Sequence, residues 1–242
     1  MAKKILITTA SVAIFLILVF VFGTVINDDK EKRDSNKRLA QAVTAAVDME
    51  VIDDLQKLMK SGISKYKSED FSGAILIFKD VVNYDGYASS PEWNQEQQKL
   101  ILMAYTNLSK AYGEISEYGL SYHYSLVALQ TAIDISRGRE RESFYRDQLH
   151  RKNFELAKIL LLHSEKLKGR IDGDPVIDAI EYFNEAININ PTEPLYYAFR
   201  SLALRMINDI DGSCNDINMF NKIADEKTKS DFNINSSHCF SS

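Results

Sequence analysis

Small and large apolar residues alternate at helical spacing in the C-terminal third of the chain, between 174 and 220. The small residues are Ala179, Ala186, Ser201 and Ser213. The large residues that would fill the spaces beside them are Phe183, Tyr197, Leu204 and Ile217. Because residues three or four apart share one face of a helix, this alternation predicts three short helices. The helices would pack most closely at the small residues.

The breaks in this pattern carry residues that begin and end helices. Asp174 stands directly before Pro175, which places a capping carboxylate ahead of a proline at the first helical position. Pro191 ends the first helix, and the stretch 208–211 separates the second helix from the third. Local sequence and hydrophobic pattern therefore agree on where the three helices lie.

An alternation of the same kind occurs in the first third of the chain. A helical face predicted from 39 onward carries Leu39, Val43, Val47, Val51, Leu55, Leu58 and Gly62. After a short polar turn at 67–70, a second helical face carries Phe71, Ala74, Phe78 and Val81. Because so short a turn joins two antiparallel helices, the stretch predicts a helical hairpin. Its second helix is expected to end near Asp85-Gly86, where glycine can adopt the left-handed conformation.

A second hairpin is predicted in the middle of the chain. Its first helix would begin at Ser90-Pro91, a capping residue followed by proline. The buried face of that helix would comprise Trp93, Leu100, Ala104, Tyr105, Leu108 and Tyr112. Its partner helix would carry Ser121 and Ala128 on the facing side.

A long helix is predicted next, from about 141 to 168, stopping at Gly169. Beyond Ile223 the hydrophobic pattern fades, and residues 225–242 are rich in Asn, Ser and Lys. This composition predicts a polar tail that begins with a short capping helix.

These patterns resemble the tetratricopeptide repeat, a pair of antiparallel helices with a period of 34 residues. The small residues that mark each second helix are Ala74, Ser121, Ala179 and Ser213, which lie 47, 58 and 34 residues apart. The resemblance covers about 55–225. It implies an all-α fold, a solenoid of about four irregular helical hairpins with elongated first helices.

In that family, the first helices of the repeats line a concave groove that binds a peptide or helix of another protein. By register, the resemblance implies a groove lined by Gln56, Met59, Ile63, Tyr66, Met103, Thr106, Lys110, Leu195, Ala198, Leu202, Arg205 and Met206. The register of the third repeat leaves its groove residues unassigned. The alternative is that a neighbouring helix covers the side chains assigned to the groove.

Some members of the family hold the terminal carboxylate of chaperones with a Tyr-x-Asn-Arg-Ala stretch. The corresponding residues here are Tyr197-Ala198-Phe199-Arg200-Ser201. Because phenylalanine replaces the asparagine, the sequence argues against recognition of chaperone tails.

An uncharged, strongly apolar run occupies residues 5–27, after a short flank at 1–4 that contains two lysines. About twenty such residues can cross the hydrocarbon core of a bilayer as a helix, so the run predicts a transmembrane signal-anchor. A cleaved signal peptide is the alternative, although the run is long and its best cleavage candidate, Val21-x-Gly23, is poor. A charged neck and helical connector would follow at 28–54.

The orientation of this anchor is open on the sequence alone. Five basic residues, Lys30, Lys32, Arg33, Lys37 and Arg38, follow the run, against two lysines before it. A count of Lys and Arg therefore favours a cytosolic body. Cys214 and Cys239 favour export, because they could form a disulfide between the last helix and the tail in an oxidising compartment. Two unpaired cysteines are the alternative.

Composition narrows the function further. The chain has 242 residues and a formal net charge of −5 with mixed signs, which argues against a general nucleic-acid binder. The four histidines show no metal-ligand spacing, and no glycine-rich phosphate loop or nucleophile motif occurs. We therefore expect no metal, no cofactor and no catalytic activity of the chain itself.

The sequence thus predicts a membrane-anchored scaffold that binds another protein, with its repeat domain at 55–225 and a tail at 226–242. The predicted location is a bacterial inner membrane with the repeat domain on the extracytoplasmic side, in the assembly or function of an envelope complex. The alternatives are a cytosol-facing membrane receptor and a regulatory subunit of an envelope enzyme.

Overall fold

The computed structural model describes residues 30–84, 95–139, 142–232 and Cys239. The chain divides into two compact units, Met1–Glu50 and Val51–Ser242. The predicted transmembrane segment at 5–27 lies outside the described residues. Of the helices that are described, none combines the length and apolar composition needed to cross a bilayer.

Helices make up nearly all of the described chain. In order, they are α1 (Lys30–Lys67), α2 (Phe71–Val82), α3 (Gln95–Glu114), α4 (Tyr118–Ser136), α5 (Ser143–Leu162), α6 (Ser164–Leu167), α7 (Pro175–Ile189), α8 (Pro194–Met206), α9 (Ile210–Ile223) and α10 (Glu226–Asp231). In the first unit, the described residues belong to the beginning of α1.

In the second unit the helices form hairpins that follow one another. The C-terminal part of α1 pairs with α2, α3 with α4, α5 with α7 across the short α6, and α8 with α9. Each second helix also contacts the first helix of the next hairpin, as α2 does with α3, α4 with α5 and α7 with α8. The predicted all-α fold of stacked helical hairpins is confirmed.

The small residues predicted to permit close packing do so in all four hairpins. Ala74, Ser121, Ala179 and Ser213 are each fully or almost fully buried. In the first hairpin, Gly62 lies so close to Phe78 that a Cβ on the glycine would stand 2.5 Å from the ring. Larger residues at these positions would therefore push the paired helices apart.

Aspartate caps begin four of the helices. Asp174 accepts a hydrogen bond from the Val176 amide at 2.8 Å, with Pro175 at the first helical position as predicted. Asp70, Asp209 and Asp225 cap α2, α9 and α10 in the same way. These caps satisfy amide groups that the helix itself cannot bond, and so fix where each helix begins.

Two predicted helix ends differ from the structure. The helix expected from 141 to 168 ends at Leu162, and α6 follows as a separate turn before Gly169, whose φ is +73°. The break occurs at His163, whose backbone leaves the helical region while its ring stacks on Tyr118 at 4.3 Å. The second helix of the first hairpin ends at Val82, earlier than predicted.

Some sequence predictions lie on residues that are not described. The expected helix start at Ser90-Pro91 and the buried Trp93 are among them, and α3 is described from Gln95. The rest of its predicted buried face is confirmed, except that Tyr105 is half-buried. The short helix expected at the start of the tail is α10.

Candidate functional site

Two adjoining clefts lie along one side of α5 and form an open groove. The larger, of ≈ 550 Å³, is bounded by α3, α5 and the start of α8. The smaller, of ≈ 240 Å³, lies between α3, α4 and α5, and Glu155 lines both. "The groove" below denotes the surface formed by Lys99, Met103, Thr106, Lys110, Arg151, Lys152, Glu155, Lys158, Leu162 and Leu195.

The residues predicted from the second repeat all line this groove. Met103, with 37% of its surface exposed, faces the larger cleft, whereas Thr106 and Lys110 face the smaller one. The Thr106 hydroxyl donates to the Leu102 carbonyl at 2.8 Å and accepts from the ammonium of Lys152. These three side chains therefore provide apolar, polar and cationic contacts on one face of α3.

The residues predicted from the first repeat lie outside both clefts. Met59 is 3% exposed and belongs to the core between α1 and α2, which is a correction to its assignment as a groove residue. Gln56, Ile63 and Tyr66 are half-buried. Tyr66 donates to the Glu114 carboxylate at 2.8 Å, and its burial together with that carboxylate raises the Tyr66 pKa to about 12. Its hydroxyl therefore bonds a residue at the edge of the smaller cleft.

The residues predicted from the last repeat are divided between different places. Leu195 lines the larger cleft, and Leu202 is half-buried beside the core. Ala198 is 0% exposed in the core around α8 and α9, so its predicted contact with a partner is corrected to a packing role. Arg205 and Met206 are exposed, and Met206 lines a separate cleft against α6 and α7.

Helix α5 supplies the groove residues that sequence reasoning left unassigned. Arg151, Glu155, Lys158 and Leu162 all line the clefts, at spacings of four, three and four residues. That spacing marks a single helical face, so the signal is present in the sequence. It was missed because the repeat register in this elongated helix could not be fixed from small residues alone.

Lys152 is the most unusual side chain of the groove. It is 8% exposed, and its ammonium donates to the Thr106 hydroxyl. Burial lowers the pKa of Lys152 to about 8, and the nearby Glu155 carboxylate opposes this shift without cancelling it. A buried amine with a depressed pKa is typical of sites that bind or react, and also of some structural positions.

A second polar cluster borders the larger cleft at the start of α5. The His150 Nδ1 lies 2.6 Å from the Tyr196 hydroxyl, and its Nε2 lies 3.4 Å from the Asp147 carboxylate. Burial lowers the pKa of His150 and raises that of Tyr196. Asp147 also accepts a hydrogen bond from Arg151 at 3.0 Å. The contact between His150 and Tyr196 links α5 to α8.

The stretch compared with chaperone-tail clamps is directed into the core. The Phe199 ring packs on Phe154 at 5.4 Å and on Phe232 at 5.1 Å. Arg200 forms two hydrogen bonds to Asp216 and a third to Asn184. Because its guanidinium is occupied by these residues, it is not available to a terminal carboxylate in this conformation.

The two cysteines lie at disulfide geometry. Cys214 on α9 and Cys239 in the tail have their sulfurs 2.08 Å apart and their Cα atoms 5.4 Å apart. The bridge links the last hairpin to a residue 25 positions further along the chain. Among the described residues, no group of three His, Cys, Asp or Glu side chains is placed to hold a metal ion.

Comparison with known proteins yields structural neighbours only. No protein-family model matches the chain, and no curated protein matches it. A MamA RS-1 ArsTM double mutant is 12% identical with a TM-score of 0.45, covering 84% of this chain and 98% of that one. A crystal structure of MamA protein is 19% identical with a TM-score of 0.36, covering 74% and 96%. With identities and TM-scores this low, nothing about partners or activity follows from these matches.

Proposed function

We propose that the chain is a scaffold that binds a segment of another protein in its groove, while residues 5–27 hold it at a membrane. The observation that carries the proposal is the open groove along α3, α5 and α8, built from the first helices of successive hairpins. A groove of this length accommodates an extended peptide or one face of a helix.

The chemistry of the groove supports a polypeptide ligand. Met103, Leu162 and Leu195 supply apolar contacts, Leu162 in the smaller cleft and the other two in the larger one. Lysine, arginine and glutamate side chains line the same clefts. Methionine adapts its shape to different partners, and alternating apolar and charged groups match the alternating side chains of a peptide.

Attachment to a membrane would increase binding of the groove to partners in the same membrane. The apolar run 5–27 has the length and composition of a bilayer-spanning helix. Confinement to one surface increases the effective concentration of the groove towards partners in the same membrane. In this account the chain acts by assembling neighbours and not by chemical transformation.

The placement of Cys214 and Cys239 favours an extracytoplasmic repeat domain. Disulfides persist in oxidising compartments and are rare in the cytosol. We therefore propose the outer side of a bacterial inner membrane, with a cytosol-facing receptor as the alternative that the basic residues after the anchor support.

The groove is tested by crosslinking in native membranes followed by mass-spectrometric identification of partners. Leu195→Glu should reduce capture of at least one partner several-fold, because it introduces a charge into the apolar lining of the larger cleft. Ile177→Glu is the matched control, since Ile177 is an exposed apolar residue on the second helix α7. Unchanged capture by the Leu195 variant, with normal folding, would refute the proposed groove.

The topology is tested separately with a membrane-impermeant thiol reagent. A cysteine introduced at Ser35, in the predicted neck, should be labelled in intact cells whose outer barrier is permeable to the reagent. Labelling only after lysis would place the neck in the cytosol and overturn the extracytoplasmic assignment. It would leave the binding groove untouched as a proposal.

A further inference from the structure

The floor of the groove contains a buried ammonium group, that of Lys152, which forms no ion pair within the described part of the chain. An ammonium group has three N–H donors and a full positive charge. Lys152 directs its ammonium at the neutral Thr106 hydroxyl. Within the described part of the chain, no carboxylate lies within the 4.0 Å of Lys152 Nζ that defines an ion pair. The positive charge of the Lys152 ammonium is therefore unpaired, and its bond to Thr106 uses only part of its hydrogen-bonding capacity.

Two neighbouring lysines add further positive charge around Lys152. Lys110 Nζ and Lys158 Nζ lie 3.9 Å from the two oxygens of Glu155, one on each. Glu155 is also the strongest nearby negative influence on Lys152. One carboxylate thus stands among three ammonium groups, in a chain whose net charge is −5.

The other acidic residues beside the groove have their own partners. Asp147 accepts a hydrogen bond from Arg151, and Glu193 caps α8 by accepting from the Leu195 amide. Glu114 accepts from Tyr66. None of these carboxylates bonds the Lys152 ammonium, and the favourable influence of Asp147 on it is smaller than the opposing influence of Arg151.

We propose that the groove binds an acidic side chain of the partner polypeptide, whose carboxylate bonds Lys152. The inference rests on the proposed function and adds the chemistry of the ligand. A carboxylate supplies both the missing acceptor and the missing charge, and such charge-assisted hydrogen bonds are among the strong ones. Met103 and Leu195 line the same cleft, so the ligand carries apolar residues next to its acidic one.

The experiment measures binding of two synthetic dodecapeptides with blocked ends to the full-length chain in a neutral detergent. One alternates leucine with glutamate and serine, and the other has glutamine in place of each glutamate. Blocking the ends leaves side-chain carboxylates as the only anionic groups. The acidic peptide should bind at least tenfold more tightly, because only it can neutralise the ammonium at the groove floor.

Lys152→Met keeps the length and packing of the side chain and removes its charge. It should weaken binding of the acidic peptide about tenfold or more and leave the glutamine peptide unaffected. Lys57→Met is the matched control, because Lys57 lies on α1 with 75% of its side chain exposed. That variant should bind both peptides like the unaltered chain.

Residue-resolved acylation of lysines gives a second readout on the same samples. The acidic peptide should protect Lys152 from an amine-reactive reagent and leave Lys57 accessible. Equal affinity of the two peptides, no binding of either, or an unchanged affinity in Lys152→Met would each overturn the inference. Loss of partner capture by Leu195→Glu alongside any of these results would show that the groove binds protein through other chemistry.

Discussion

Two cations in the described part of the chain, the half-buried Arg200 and the buried Lys152, have opposite surroundings. Arg200, between α7, α8 and α9, forms hydrogen bonds of 2.8 and 2.6 Å to Asp216 and one of 2.7 Å to Asn184. Lys152, between α3 and α5, bonds the neutral Thr106. The bonded carboxylate of Asp216 raises the pKa of Arg200, whereas burial lowers that of Lys152.

The difference separates a structural charge from one that is available to a ligand. A buried ion pair with satisfied hydrogen bonds fixes the arrangement of its helices and has nothing left to offer. A buried charge without a counter-ion destabilises the isolated protein and becomes favourable once a ligand neutralises it. The ion pair of the C-terminal hairpin is therefore complete, whereas Lys152 would be neutralised only by the proposed ligand.

The largest expected effect on stability comes from breaking the ion pair between Arg200 and Asp216. Arg200→Met removes the guanidinium and leaves the Asp216 carboxylate buried without its counter-charge. The free energy of unfolding should fall by about 3–5 kcal/mol, as is typical when one partner of a buried pair is removed. Urea unfolding followed by circular dichroism measures it. A loss below about 1 kcal/mol would contradict the structural role assigned to Arg200.

The corresponding substitution of Lys152 should raise the free energy of unfolding instead of lowering it. Lys152→Met removes an uncompensated buried charge, while Thr106 keeps its bond to the Leu102 carbonyl. The free energy of unfolding at pH 7 should therefore rise by roughly 1–3 kcal/mol. Lys57→Met, at an exposed position, should change it by no more than about 0.5 kcal/mol. Destabilisation by Lys152→Met would show that the ammonium is compensated in the free protein.

The stabilising effect of Lys152→Met should depend on pH. The folded-state pKa of about 8 lies below the ordinary value of 10.5, so between these values the unfolded chain binds the proton and the folded chain does not. The stability of the unaltered chain should then rise with pH across this window. The advantage of Lys152→Met should be full below pH 8 and shrink towards pH 10. An advantage that is constant from pH 7 to 10 would contradict the depressed pKa.

The sequence predicts close packing within hairpins and local helix caps better than it predicts contacts between hairpins. The small residues at Ala74, Ser121, Ala179 and Ser213 mark every hairpin because close packing permits few alternatives there. The Asp174-Pro175 cap is equally local. The break at His163 depends on its ring stacking on Tyr118 from another hairpin, which no local pattern encodes.

The residues that line the two clefts were predicted only in part, for a related reason. Met103, Thr106, Lys110 and Leu195 follow from the repeat register, and all four line the clefts. Lys152 could not be identified in this way, since lysine is ordinarily exposed. Its burial arises from the approach of α5 to α3, a property of the assembled hairpins.

The central claim is that the groove, and not another surface of the second unit, contacts a partner. Photo-crosslinking amino acids placed singly at Met103 and at Leu76 in native membranes test it most directly. Both residues are exposed, but Met103 lies in the groove and Leu76, 66% exposed, lies on the second helix of the first hairpin. We predict a discrete protein adduct from Met103 that weakens in the Leu195→Glu background, and none from Leu76. No adduct from Met103, or the same adducts from both positions, would contradict the account.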